Sequence, residues 1–181
     1  MNPPRIGAVH AAAFFVGLTV VAQLTSKRSD RRFYRDLKRP GFAPPAWVFP
    51  VAWTGLNLLQ VWADTRLVNG REIEGRNRLL GLRGVNWLLY ALFNPAFFRA
   101  RSPVLGEAVT VAQALNTFAT IFAARRSAPE VAMALTPLAG WLTFASTVAG
   151  WMAVKNPDPV VDPVVHRVRQ RFTAPTSAAI H

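Results

Sequence analysis

VAMALTPLAGWLTFASTVAGWMAV, residues 131–154, is a run of 24 residues without a single Asp, Glu, Lys or Arg. Roughly 20 mostly apolar residues cross the hydrocarbon core of a bilayer as an α-helix, so this stretch predicts a membrane span. Working outward, the same reasoning predicts four more. Residues 6–24 are rich in Ala, Val and Phe, and 46–68 open on an aromatic cluster. Residues 79–98 hold a lone Arg83 near their start, and 104–124 are diluted by Glu107, Gln113, Asn116 and three threonines. The expected fold is an all-α membrane protein, a bundle of five transmembrane helices. A cleaved signal peptide is the other reading of 6–24, but that run is too long for a signal core and no A-x-A site follows it. The pair Arg31-Arg32 follows the first apolar run instead of preceding it, which excludes a twin-arginine signal.

Composition agrees. The 181 residues are 51% hydrophobic yet carry a net charge of +12, and the charges alternate with apolar blocks. A nucleic-acid binder would spread Lys and Arg over its surface, so no nucleic-acid partner is expected. The chain has no cysteine, hence no disulfide, Cys-ligated metal or thiol nucleophile. Its three histidines, His10, His166 and His181, rule out a His-rich metal enzyme. His10, alone on a small-residue helix, is read as a packing residue before an axial haem ligand. Beyond Asn156 the composition shifts to Pro, Asp, Arg and Ser. Residues 1–156 are therefore expected to form the membrane domain and 157–181 a disordered polar tail.

Short loops rich in Lys and Arg stay in the cytoplasm. With five spans, the loop after the first, the loop after the third and the tail share one side and carry 13 Lys and Arg, against 8 on the other. The first loop and the C-terminus are expected in the cytoplasm and the N-terminus outside.

Polar residues recur at helical spacing. The stripes are Trp53, Asn57, Gln60 and Asp64; Arg83, Asn86, Tyr90 and Asn94; Thr110, Gln113, Thr117 and Thr120; and Thr136, Gly140, Thr143 and Thr147. Polar groups in lipid are costly unless they face protein or a water-filled cavity, so all four stripes are expected to face inward. Bonds across helices account for most of the threonines. The aromatics Trp53, Tyr90, Phe93, Trp141 and Phe144 suit the wall of a flat apolar ligand, with Trp53 and Trp141 expected on one cavity and Phe93 as a third wall. Trp47, Trp62 and Trp151 are read as interface anchors. Gly81, Gly84 and Ala91 form a small-residue face fit for a homodimer or for packing inside one chain. Asp64 and Arg66 are expected to mark the outer interface.

The stretch FYRDLKRPGFAPPAWVF, residues 33–49, is the most specific. Pro40, Pro44 and Pro45 hold it extended, and the Pro44-Pro45 doublet opens the second span. It resembles the signature of the translocator protein family (TspO/MBR, the tryptophan-rich sensory proteins and peripheral benzodiazepine receptors), roughly W-Y-x-x-L-x-K-P-x-F-x-P-P-x-W-x-F followed by V-W-T-x-L-Y. The matches are Tyr34, Leu37, Pro40, Phe42, Pro44, Pro45, Trp47, Phe49, Trp53, Thr54 and Leu56. Asn94-Pro95-Ala96-Phe97-Phe98 is similar to the family's W-S-P-x-F-F, and Trp141-Leu142-Thr143-Phe144-Ala145 to its W-x-x-F-A. Phe33 replaces a Trp, Asn57 a Tyr, and Leu89-Tyr90-Ala91-Leu92-Phe93 an L-N-x-L-W, which marks a divergent member.

The resemblance implies a five-helix bundle, often dimeric, whose ligand pocket is capped by the first loop and takes porphyrins or haem-like tetrapyrroles. No cofactor is required; porphyrin or haem enters as ligand. Carried onto this chain, the ligand-binding positions are Tyr34, Pro44, Pro45, Trp47, Phe49, Trp53, Asn86, Tyr90, Phe93, Asn94, Trp141, Phe144 and Ala145. Two further readings stand beside binding. One is a porphyrin-degrading enzyme working through Trp53 and Trp141, for which the spans offer no acid–base pair or metal set. The other is a sterol or lipid transporter, against which Gly150 and Trp151 stand where the sterol motif of animal members needs a Tyr.

Overall fold

The computed structural model describes residues 28–165, with positions 7 and 17 isolated before them. The expected span 6–24, and His10 with it, lies outside the described residues. Within them the chain is helical, without a strand: α1 (Arg28–Asp36), α2 (Val48–Asn69), α3 (Arg76–Asn94), a π-helical turn (Pro95–Arg99), α4 (Pro103–Ala124) and α5 (Pro129–Lys155). The four long helices overlap the expected spans 46–68, 79–98, 104–124 and 131–154. Two of them, Pro103–Ala124 and Pro129–Lys155, are long and apolar enough to cross a membrane. The other two carry more charge, Asp64 and Arg66 on α2 and Arg76, Arg78 and Arg83 on α3.

Each helix end has a local cause. Gly75, at φ 70°, adopts the left-handed turn that starts α3. Arg76 donates to the carbonyls of Leu67 and Val68 at 2.8 and 2.9 Å, closing the C-terminus of α2 with a cation. Arg101 turns the chain between the π-helical turn and α4 at φ 51°. Ser102 caps α4 by accepting from the Leu105 N–H at 3.0 Å.

The apolar core joins α2, α4 and α5. Leu56, Ala63 and Leu67 of α2 meet Ala114 and Ala124 of α4 and Leu135, Leu138 and Leu142 of α5. A second cluster lies at one end, where Phe97, Val148, Ala149 and Met152 take Phe33, Tyr34 and Leu37 against them. Gly106 permits it: a Cβ there would sit 2.5 Å from Cδ2 of the Phe97 ring.

Three stripes lie as expected. Asn57, Gln60, Arg83, Asn86, Thr110, Gln113, Thr117 and Thr120 are buried, and Trp53, Asp64, Tyr90 and Asn94 half-buried. The α5 stripe does not: Thr136, Gly140, Thr143 and Thr147 are exposed among the described residues. Thr136 and Thr143 donate to carbonyls four residues back, and Thr147 to one three back, so these hydroxyls are satisfied on their own helix and need no interior partner. Gly81 and Gly84 are exposed as well. Of the two charges expected to mark the outer interface, Asp64 pairs with Arg83 and Arg66 with Glu72 and Glu130.

The change of composition at residue 157 is not the end of the packed chain. Asp158 is 1% exposed and accepts from the Ser102 hydroxyl at 2.6 Å and from the N–H groups of Val104, Val160 and Val161 at 2.9–3.0 Å. Burial alone would raise its pKa, yet these four donors outweigh it and hold the carboxyl below the usual range. Asp158 therefore fastens the chain just past α5 to the start of α4, within the stretch expected as a disordered tail.

Candidate functional site

α2 and α3 run antiparallel and face each other through one stripe apiece. From the loop end, α2 presents Phe49, Trp53, Asn57, Gln60 and Asp64, and the partner side presents Phe97, Phe93, Tyr90, Asn86 and Arg83. Spacings of three and four residues put each set on one helix face. The loop end is aromatic, the far end polar, and Tyr90 stands at the border.

The polar end is a connected network. Arg83, 2% exposed, pairs with Asp64 at 2.5 Å and donates to Gln60 Oε1 at 3.0 Å. Asn86 donates to the same oxygen at 2.7 Å, Gln60 to Asn57 at 3.0 Å, and Asn57 to the Tyr90 hydroxyl at 3.2 Å. Trp87 adds its indole N–H to Asp64 at 2.7 Å. The buried amides thus have partners, which helps keep a charge pair tolerable inside the bundle, while Arg83 Nη1 is buried without a hydrogen-bond partner among the described residues.

The aromatic end has two branches. In one, Trp53 and Trp87 meet the Tyr90 ring at centroid distances of 5.1 and 5.6 Å. In the other, Tyr34 of α1 meets Phe49 at 6.2 Å, Phe49 meets Trp141 at 5.8 Å, and Trp141 meets Phe144 at 6.0 Å. Phe97 joins them: it stacks on Phe93 at 5.4 Å and lies 6.5 Å from Tyr34. Among the described residues the Tyr34 hydroxyl and the Trp141 indole N–H are buried without a hydrogen-bond partner.

A wide, open groove of about 520 Å³ lies between α2 and α5, lined by Val51, Ala52, Gly55, Leu56, Leu59, Pro137, Gly140, Trp141 and Phe144. Trp53 and Phe93 do not line it. Trp53 packs on Tyr90 of α3, whereas residues 51, 55 and 59 lie on nearly the opposite side of α2, in the groove toward α5. Both tryptophans still pack on the same apolar core.

The other expected positions are placed as follows. Pro44 and Pro45 lie in the loop before α2, where Pro45 accepts from the Val48 N–H at 2.9 Å. Trp47 is 68% exposed and stands apart from the rings, as a membrane-interface anchor would. Asn94 ends α3 half-buried, and Ala145 is half-buried on α5 beside Phe144. Asn86 belongs to the polar network and not to the ring cluster. The loop itself is latched: Asn156, past the end of α5, accepts from the Lys38 N–H at 2.8 Å and donates to the Lys38 carbonyl at 3.0 Å. Sequence reasoning missed this asparagine, and also Trp87, Phe33 and Gly106. The position of Asn156 at the composition break was its one visible signal.

The TspO/MBR family pattern matches residues 8–154. The chain belongs to the TspO/MBR family. It is 33% identical over 111 residues to Protein CrtK of Rhodobacter capsulatus, covering 60% of this chain and 69% of that relative. The tryptophan-rich sensory protein of Cereibacter sphaeroides is 29% identical over 114 residues, covering 63% and 70%. The tryptophan-rich protein TspO of Archaeoglobus fulgidus is 26% identical over 154 residues, covering 82% and 94%. As a TspO/MBR protein this chain is a membrane protein of the sensory or translocator type.

Proposed function

We propose that this TspO/MBR protein is a five-span receptor that takes a flat, carboxylate-bearing tetrapyrrole at the aromatic end of its bundle, beneath α1 and the first loop. One observation carries the reading. Trp141 lines the groove with a buried, unpartnered indole N–H and is joined through Phe49 to Tyr34, whose buried hydroxyl is also unpartnered among the described residues. A buried donor without an acceptor costs about 1–3 kcal/mol, and a ligand oxygen would remove that cost while its ring stacked on the aromatics. The Arg39 guanidinium lies 5.2 Å from the centre of the Tyr34 ring, and Lys38 and Arg35 are exposed nearby, a set of cations suited to propionates.

The proposed topology has residues 1–156 as the membrane domain, the first loop and the C-terminus in the cytoplasm, and the N-terminus outside. Its support is that Asn156 bonds Lys38 while Asp158 bonds Ser102, so the first loop, the α3–α4 turn and the chain after α5 meet at one end of the bundle. That end carries the larger share of Lys and Arg. Titration of the purified protein in detergent with protoporphyrin IX tests the binding reading. Saturable tryptophan quenching at micromolar ligand is expected, and its absence would refute it.

A further inference from the structure

We infer that α1 and the loop after it form a docking surface for anionic phospholipid headgroups, in which Arg32, Arg35 and Lys38 meet the phosphates while Phe42 and Trp47 sit among the lipids beside them. Residues 28–39, RSDRRFYRDLKR, hold six Lys and Arg against two Asp, a net charge of +4 in 12 residues. The fold sorts this stretch into two sides. Phe33, Tyr34 and Leu37 pack on the cluster around Phe97, whereas Arg32, Arg35, Lys38 and Arg39 are exposed. None of these four makes an ion pair among the described residues. Arg39 leans over the Tyr34 ring, toward the aromatic end, so the other three carry the outer surface.

Exposed cations alone suit water as well as an anion, and here their depth decides the partner. α5 is long and apolar enough to cross a bilayer and ends at Lys155. The next residue, Asn156, bonds both backbone groups of Lys38. The cations are thereby held at the level where a span leaves the hydrocarbon, instead of on a loop that swings into water. At the same end α2 starts at Val48, and the residues leading into it leave Phe42 57% and Trp47 68% exposed. Aromatic rings at the mouth of a span rest in the headgroup layer, so the anions nearest to the neighbouring cations belong to that layer too. Each Lys or Arg held at an anionic membrane surface strengthens association roughly fivefold. This surface does not depend on the tetrapyrrole site.

The test places the full chain, without tetrapyrrole, in nanodiscs of phosphatidylcholine alone or with about one-third phosphatidylglycerol, and follows amide hydrogen exchange by mass spectrometry. Peptides covering residues 33–47 should exchange roughly fivefold more slowly or better in the anionic discs, and about 0.5 M NaCl should cancel most of that slowing. Arg32→Gln/Arg35→Gln should lose the slowing and keep the wild-type rate in phosphatidylcholine. Phe42→Ser/Trp47→Ser should exchange faster in both discs, because the rings are held by lipid of either charge. The turn at 125–128, with Arg125 and Arg126 at the other end of α4 and α5, is the internal control and should change little.

Equal exchange of residues 33–47 in the two lipids overturns the proposal. Equal slowing at the 125–128 turn reduces the effect to general surface charge and overturns it as well. Slowing by soluble polyglutamate but not by phosphatidylglycerol would assign the surface to an acidic protein instead. Should the arginine variant not fold, wild-type slowing that persists at high salt overturns the charge pairing. Each of these results leaves porphyrin quenching untouched, so failure here and failure of the ligand site are separate outcomes.

Discussion

The carboxamide of Asn156 clamps the backbone of Lys38 from both sides, accepting from its N–H at 2.8 Å and donating to its carbonyl at 3.0 Å across 118 residues of sequence. The same amide nitrogen lies 2.9 Å from the Met152 carbonyl at the end of α5, which also accepts the backbone N–H of Asn156 at 3.1 Å. One side chain thus closes a helix and fastens the loop that covers the aromatic end.

Asn156→Ala removes both bonds to the loop. A loss of about 1–2 kcal/mol is expected, read as a lower thermal midpoint in detergent. Faster proteolysis between residues 37 and 45 should accompany it. An unchanged midpoint together with an unchanged cleavage pattern would show that the loop is held by its proline turns and aromatic contacts alone.

Asp158 sets an acid limit. Its folded pKa lies below the ordinary carboxylate value, through hydrogen bonds that overcome burial. The stability it contributes is therefore full above the unfolded-state pKa, near 4, and is lost as pH falls through the lower folded value. Thermal midpoints measured from about pH 2.5 to 7 should fall at the acid end in wild type. Asp158→Asn should start lower and fall less. Parallel curves would remove Asp158 from this account.

Much of the fold is legible because its signal is length and apolar content: the four long helices coincide with four apolar runs. The stripes on α2, α3 and α4 are legible for a related reason, since amides and charges have to find partners across helices. The α5 stripe misleads because threonine satisfies itself on its own helix, so polarity at helical spacing does not by itself demand an interior. α1 is invisible to an apolar test, since six of its nine residues are Arg or Asp, and it is held by Phe33 and Tyr34 packing on Phe97. Which face Trp53 takes is also hidden. Residues 51 and 55 share one face of the helix and Trp53 lies nearly opposite, and only the partner helices decide which faces α3 and which α5.

Breaking the buried ion pair should cost more than removing it. Arg83→Met leaves Asp64 without its cation and is expected to cost about 3 kcal/mol or more. The double variant Arg83→Met/Asp64→Leu leaves no lone charge and should recover a large part of that loss. Denaturation of the two variants in the same detergent makes the comparison; a double variant less stable than Arg83→Met would contradict the pairing.

At Gly106 the demand is steric. The ring of Phe97 is 2% exposed, and an added methyl would lie 2.5 Å from its Cδ2 and 3.1 Å from its Cβ. Gly106→Ala is expected to cost about 1–3 kcal/mol through overpacking. Adding Phe97→Leu should restore part of it, and a failure to do so would show that the methyl clashes elsewhere.

The central claim is that ligand binds at the aromatic end, on Trp141, and not on the lipid-facing surface. Trp62 is the matched control, half exposed on α2 and away from the rings described above. The decisive measurement is the protoporphyrin IX affinity of Trp141→Ala beside that of Trp62→Ala, each followed by quenching of the remaining tryptophans. Loss of stacking and of buried area at Trp141 should weaken binding about tenfold or more, while Trp62→Ala stays near the wild-type value. Equal affinities in the two variants, or a greater loss at Trp62, would contradict the site.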